Sequence, residues 1–498
     1  MHVSSSLKKK ISEENTPASL LQSINCLFFK KIKISNLKAQ FFLSWLLLAV
    51  PALLLAQLIP PFQSPDENSH LARADMLAHG QLFLKPAPQG APASLGGSGG
   101  DIDMHLALFA FHATSQVHTS PNVLFFQILE DQANQLSWAQ KTHFFPSSGT
   151  GYYFPAIYLP HAAALWIGRK MGFSVGHSYY LLRTVTTSLC LGIIVLAWRA
   201  RKFNLLTIGI LTTPMTLFQI ISPTIDGLTI CIAIYLVALF FIQIENPREN
   251  KSSHQIAIIF ICIFFLATSR TNLLPTLFIP LYLAWHHRSH KILYATIILS
   301  TTCLGWTAFA LASTVDTRIP REFSTSQIIV FYLKEPWEFF SSLYKTLSDS
   351  ETRFFYQLSF VGFLGWLDTP IKILNLKVLS YLLLFMALFS VRKNIAPNNS
   401  SNAVRILLIL IGASGLFLIF FALAVTWNTY PAKIITGVQG RYFIIPTLFF
   451  AAALGPSQLK SNNFLIRSTA TATSIFFIFY SIFTLSDALA NRYFLLPY

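Results

Sequence analysis

Long apolar runs recur along the chain, separated by short stretches in which lysine and arginine collect. A helix that crosses a bilayer needs ~20 mostly apolar residues. Eleven segments fit: 41–59, 178–198, 204–221, 226–245, 255–269, 272–286, 291–313, 376–391, 405–425, 442–456 and 465–486. The expected fold is therefore an all-α integral membrane protein with about eleven transmembrane helices, and between ten and thirteen are compatible with the pattern. The range reflects two ambiguous stretches, 152–172 ("YYFPAIYLPHAAALWIGRKMG") and 357–371, which contains "SFVGFLGWLDTPI". Counting the first as a span would move Arg199, Arg201 and Lys202 to the opposite side, so with Pro155, Pro160 and His161 it reads as a helix lying on or dipping into the outer interface.

Charge orders these segments. Lys8, Lys9, Lys10, Lys30, Lys31, Lys33 and Lys38 precede the first span, and Arg199, Arg201, Lys202, Arg288, Lys291, Arg392, Lys393, Lys460 and Arg467 flank later ones. With eleven spans and a cytoplasmic N-terminus all of them fall inside, as the positive-inside bias predicts. Two long intervals, 60–177 and 314–375, then lie outside. Each holds seven acids, together fourteen of the chain's 20. Long loops in membrane proteins carry function or disorder. "KPAPQGAPASLGGSGG", 85–100, reads as a mobile linker.

Composition agrees: 53% of residues are hydrophobic and 11% charged, with mean hydropathy +0.53, which excludes an ordinary soluble domain. The net charge of +16 is mainly topology, and no nucleic-acid module accompanies it. The basic start is too long for a secretory signal peptide and reads as the cytoplasmic flank of an uncleaved anchor. The expected organisation is a cytoplasmic segment, 1–40, followed by a polytopic membrane domain, 41–498. Cys190, Cys231, Cys262 and Cys303 fall within spans and show no ligand or disulfide spacing. His70, His105, His143 and His161 likewise show no metal-ligand pattern. No internal repeat is visible, which counts against a transporter built from inverted repeats.

The densest chemistry stands where the first span ends, in "SPDENSHLARADMLAHG", 64–80. Ser64 and Glu67 have capping-box spacing, Pro65 suits a first helical position and Gly80 a helix end. These residues read equally as a capped helix start. If the helix runs from Pro65 to about residue 79, Asp66, His70, Arg73 and Leu77 share one face, while Glu67 folds back on the backbone. Asp66 is then the freer carboxylate, suited to accept a proton from a hydroxyl or to bind a divalent cation such as Mg or Mn. Asp226 opens a span, where it either favours the helix dipole or joins a site. Arg441 in "GVQGRYFIIP", with Tyr442 beside it, either snorkels to headgroups or holds a lipid phosphate. Arg183 and Arg270 stand at comparable positions.

Read in order, "PPFQSPDENSHLARADMLAHG", "YYFPAIYLPHAAALWIGRKMG", "YYLLRTV", "TPMTLFQIISPTIDGLTICIAIYLVAL", "GFLGWLDTPI" and "GVQGRYFIIP" resemble a family of bacterial multi-pass membrane proteins containing domain of unknown function 2142. The resemblance covers roughly residues 41–455. That family looks like a branch of the GT-C glycosyltransferase superfold, whose members transfer a sugar from a polyprenyl phosphate or pyrophosphate carrier outside the cytoplasm. The resemblance implies a place in the bacterial inner membrane, a polyprenyl-linked sugar donor, and an envelope glycan or lipid as acceptor. It gives Asp66 the catalytic role with Glu67 as its neighbour, and leaves His70, Arg73, Arg183, Asp226, Arg270, Arg441 and Tyr442 for substrate. No large soluble C-terminal domain is visible, so nothing signals the acceptor. Two other readings stay open: a transporter or flippase of lipid-linked saccharide, and a non-catalytic scaffold for envelope assembly.

Overall fold

The computed structural model describes residues 50–57, 59–93, 96–115, 123–245, 253–318, 320–391 and 399–494. The basic segment 1–40, most of the proposed first span and Arg392 and Lys393 lie outside these residues. Of that first span, 50–57 is helical.

The described chain is mainly helical. Six helices are long and apolar enough to cross a membrane: Val175–Ala200, Ile225–Glu245, His290–Ser313, Ile373–Ser390, Asn402–Thr426 and Phe464–Tyr493. Ser253–Ser269 and Gly440–Leu454 are shorter apolar helices. Three proposed spans are broken. Residues 204–221 form Leu205–Leu211 and Pro214–Ile221, because Thr213 caps a new helix by accepting from the Thr216 N–H at 3.2 Å, with Pro214 as its first residue. Residues 272–286 divide into a 3₁₀ turn, Thr271–Leu277, and Phe278–His286. The 442–456 segment begins as a 3₁₀ turn, Gly440–Phe443, before Ile444–Leu454. Nearly all of 205–221 is buried. Apolar content alone does not separate such pieces from spans, since backbone can break at membrane depth wherever protein covers it.

The interval 60–177 is ordered where it is described. Helices Glu67–Ala78 and Met104–Ser115 pack on a three-stranded antiparallel sheet of Lys85–Pro86, Ser98–Asp103 and Thr142–Pro146, with Leu159–Lys170 and Val123–Gln135 packed against those helices. Phe62, Leu71, Phe109, Leu129, Leu165 and Tyr179 belong to its core. The glycine-rich stretch read as a linker thus ends as the central strand, with Gly99 opposite Pro146 and Asp103 opposite Thr142. Its glycines serve close packing: a Cβ on Gly99 would stand 2.1 Å from the Phe145 carbonyl oxygen, and one on Gly100 2.6 Å from Met76 Sδ. Residues 152–172 form the turn Pro155–Tyr158 and the helix Leu159–Lys170, too short to span.

The second interval contains Thr325–Lys334, Pro336–Ser348 and Ser350–Val361, then a hairpin of Phe363–Leu364 with Thr369–Pro370. Residues 357–371 are therefore a helix end and a hairpin. The two intervals clasp each other. Ser98 Oγ donates to the Val315 carbonyl at 2.9 Å, and Thr317 donates through its N–H to Gly96 O at 3.3 Å and through its hydroxyl to Ala93 O at 2.7 Å.

Candidate functional site

The turn "PPFQSPDE" carries two non-glycine residues in the left-handed region, Phe62 and Asp66, each at φ 62°. A phenylalanine there is strained and must be held by its surroundings. Its N–H donates to Glu67 Oε1 at 3.1 Å, its carbonyl accepts from the Trp366 indole at 2.8 Å, and its ring meets Phe109 and Tyr179. Glu67 Oε2 accepts from the Ser64 N–H at 3.0 Å, Tyr179 donates to Oε1, and Arg183 stands 3.6 Å away. Arg183 also donates to the Ala56 and Pro60 carbonyls at 2.8 and 3.3 Å. Both charges are buried, so the pair is a structural peg that sets the turn.

The helix consequently begins at Glu67, not Pro65, and ends at Ala78. Only half of the expected capping box forms: Glu67 reaches back to the Ser64 N–H, while the Ser64 hydroxyl donates to Ser222 at 2.5 Å. Asp66 becomes the N-cap in a left-handed conformation that Asp tolerates. Its side chain is 55% exposed, against 0% for Glu67.

Opposite this carboxylate lies an ionic cluster drawn from distant segments. Arg441 stands 3.4 Å from Asp66 through one guanidinium nitrogen and 3.6 Å from Asp226 through another. Asp226 also pairs directly with Arg270. The Tyr442 ring lies 5.3 Å from the Arg441 guanidinium and 5.7 Å from that of Arg270. Around them opens a cleft of about 340 Å³, open solvent included, lined by Gln219, Asp226, Arg270, Asn272, Arg441 and Tyr442 among others. Two acids and two guanidiniums balance in charge. Arg441 Nε and Gln219 Oε1 are nonetheless buried without a hydrogen-bond partner, so the cleft retains a donor and an acceptor to offer.

Backbone packing places Arg441. The Gly440 N–H donates to Ser359 Oγ at 2.7 Å, and a Cβ at Gly440 would stand 2.1 Å from Tyr356 O and 2.4 Å from Phe360 N. Gly440→Ala is expected to cost about 1 to 3 kcal/mol by overpacking. The readout is a lower thermal unfolding midpoint in detergent, followed with a thiol-reactive dye on the buried Cys190, Cys231, Cys262 and Cys303. Gly305→Ala, where a Cβ meets nothing within 4 Å, is the unchanged control.

His70 lies behind the cluster. Its Nδ1 is 2.7 Å from the Tyr158 hydroxyl, and its ring stacks on Tyr153 at 5.9 Å. Burial pushes its pKa down to about 4, with Asp226 and Asp66 opposing and Arg270 and Arg441 reinforcing. Burial, then the nearby His70, lowers His161 to about 3. The unfolded chain binds protons that both folded sites refuse, so stability is complete above about pH 6.5 and declines as pH falls toward 4. The expected loss from His70 is on the order of 3 kcal/mol. Unfolding midpoints measured from pH 7.5 to 4.5 should fall below pH 6.5, and His70→Gln should flatten that decline.

The structure therefore brings together Asp66, His70, Asp226, Arg270, Arg441 and Tyr442. It does not bring in three others. Arg73 donates to the carbonyls of Gln81 and Leu82, holding the chain after its own helix rather than facing the cleft. Arg183 and Glu67 are spent on each other and on the turn. Among the described residues, no three acid, histidine or cysteine side chains gather as a metal site. Sequence reasoning missed Gln219, Asn272, Tyr153 and Tyr158, uncharged residues whose only signal was proximity to proposed ones. It also missed Arg318, which is bound to Asp316 and close enough to Asp66 to feel its charge.

No curated protein and no solved structure matches this chain. Residues 48–451 match the family described as "Predicted membrane protein (DUF2142)". That interval holds Asp66, Asp226, Arg270 and Arg441, and it takes in most of the chain: the protein belongs to this family of predicted membrane proteins.

Proposed function

We propose that the protein is a glycosyltransferase of the bacterial inner membrane, with its N-terminus in the cytoplasm and its spans arranged as in the GT-C superfold. It takes a sugar from a polyprenyl phosphate or pyrophosphate carrier and passes it to an envelope glycan or lipid on the extracytoplasmic face. The observation that carries this reading is Arg441, a buried guanidinium held between Asp226 and the exposed carboxylate of Asp66. Guanidinium suits phosphate, an exposed carboxylate beside it suits a hydroxyl, and one side chain touches both halves of the site.

In the reaction the acceptor hydroxyl oxygen attacks the anomeric carbon. The bond from that carbon to the phosphate oxygen breaks, its electron pair leaving on the phosphate, and the hydroxyl proton passes to Asp66. Phosphate is a good leaving group, so one base and one cationic clamp suffice. Arg441 pairs loosely with Asp66, at 3.4 Å, whereas Arg270 and Asp226 are in close contact. A donor phosphate competes for Arg441. Once the guanidinium turns to it, the Asp66 carboxylate is free to meet the acceptor hydroxyl.

The test is lipid carriage. Wild-type protein purified from its own membranes is expected to retain a polyprenyl phosphate lipid, identified by mass spectrometry. Arg441→Ala should retain about 10-fold less or lower, for loss of a charge-assisted contact. Equal retention by the variant would remove Arg441 from the phosphate site.

A further inference from the structure

Helices Thr325–Lys334 and Pro336–Ser348 are apolar on two faces. The inner face, with Ile328, Tyr332 and Phe339, is buried in a core shared with Phe420 and Val425. The outer face of the second helix carries Trp337, Phe340, Tyr344 and Leu347, spaced three, four and three apart, so they form one stripe. They are exposed by 80, 46, 73 and 43%, and Leu333 at the end of the preceding helix by 71%. A soluble surface rarely leaves so many large apolar side chains together.

The neighbouring span indicates what covers them. Phe339 packs on Phe417 and Phe421 of the Asn399–Thr426 helix, and Phe340 lies 6.2 Å from Phe417 between ring centroids. Phe417 is itself 40% exposed, on the helix that also exposes Ile406, Ile409 and Leu410. The stripe is thus continuous with the outward apolar surface of a candidate membrane span. Phe417 stands nine positions before Thr426, which places this contact ~13 Å down the helix from its loop end. The stripe therefore stands beside the span, not above it. Its charges fit the same placement: Glu335, at the start of the helix, accepts from the Tyr430 hydroxyl at 3.3 Å, beyond the end of the span. Exposed Lys345 is long enough to reach out toward headgroups.

We propose that the stripe Leu333, Trp337, Phe340, Tyr344 and Leu347 is embedded in the acyl-chain region of the leaflet bordering the two long intervals, with lipid as its partner. Tryptophan and tyrosine are the side chains expected at that boundary. The embedding has a mechanical consequence. On the inner face Ser342 donates to the Ala432 carbonyl, Thr346 Oγ1 accepts from the Ile435 N–H at 2.9 Å, and Ser359 on the next helix accepts from Gly440. The lipid-seated helices therefore grip the segment that leads into Arg441.

The experiment uses the full chain in vesicles of phosphatidylethanolamine and phosphatidylglycerol, doped with a phospholipid carrying a diazirine on its acyl chain. After photolysis, peptide mapping by mass spectrometry locates the adducts. The outward face of the Asn402–Thr426 helix is the internal control. Adducts at Leu333, Trp337 or Tyr344 alongside that control are expected. Adducts on the control helix with none between residues 330 and 347 would overturn the proposal, leaving water or a protein as what the stripe meets.

Discussion

Asp66→Asn is expected to lower sugar transfer by about 100-fold or more while leaving folding and donor retention intact. Asparagine is isosteric, tolerates the left-handed backbone that Asp66 adopts at φ 62°, and cannot take a proton from the acceptor. The side chain makes one ion pair, at 3.4 Å to Arg441, and is more than half exposed, so its removal costs little stability. The measurement is the initial rate of transfer with donor and acceptor in excess, beside the unfolding midpoint of the same preparation. A transfer rate equal to wild type would leave the Asp66 carboxylate as a surface partner of Arg441 and nothing more.

The next residue is expected to behave in the opposite way. Glu67→Ala removes the acceptor for the Phe62 and Ser64 N–H groups and for Tyr179, and strands Arg183, whose side chain is 1% exposed. Breaking a buried pair from one side costs about 3 to 5 kcal/mol. The unfolding midpoint should drop sharply or the folded protein should not accumulate. Two adjacent carboxylates thus separate cleanly: activity without stability for Asp66, stability for Glu67. A Glu67→Ala protein with the wild-type midpoint would dissolve the peg.

That division was legible in part: the capping spacing of Ser64 and Glu67 already left Asp66 as the freer carboxylate, but the burial of Glu67 against Arg183 was not. Ser64 with Glu67, Pro65 and Gly80 told of a capped helix from Pro65 to about residue 79, but its start at Glu67 depended on Phe62 entering a conformation no pattern predicts. Long uninterrupted apolar runs such as 178–198, 226–245 and 291–313 stand out because a full span must be apolar throughout. The runs 204–221 and 272–286 look the same while being broken at Thr213 and around Pro275, since burial against protein makes the same demand as lipid. "ASLGGSGG" carries the composition of a linker, yet Gly99 and Gly100 are there because Phe145 and Met76 leave no room for a Cβ. Arg183 and Arg441 read alike as arginines near helix ends. Their fates differ by partner, Glu67 for one and the Asp66 and Asp226 pair for the other, and those contacts join residues 116, 375 and 215 positions apart.

A sugar is expected to change covalent partner at Asp66 and Arg441. Proteoliposomes that contain the purified protein, a polyprenyl-phosphate sugar radiolabelled in the sugar, and a glycolipid extract of the envelope as acceptor make that transfer visible. Glycosyl phosphates hydrolyse in mild acid and glycosidic bonds do not, so the two fates of the label are chemically distinct. The expected result is label in an acid-stable product with wild-type protein and about 100-fold less with Asp66→Asn. Label that stays on the acid-labile carrier, whether in its original leaflet or moved to the other, while the protein demonstrably binds that carrier, would contradict the account.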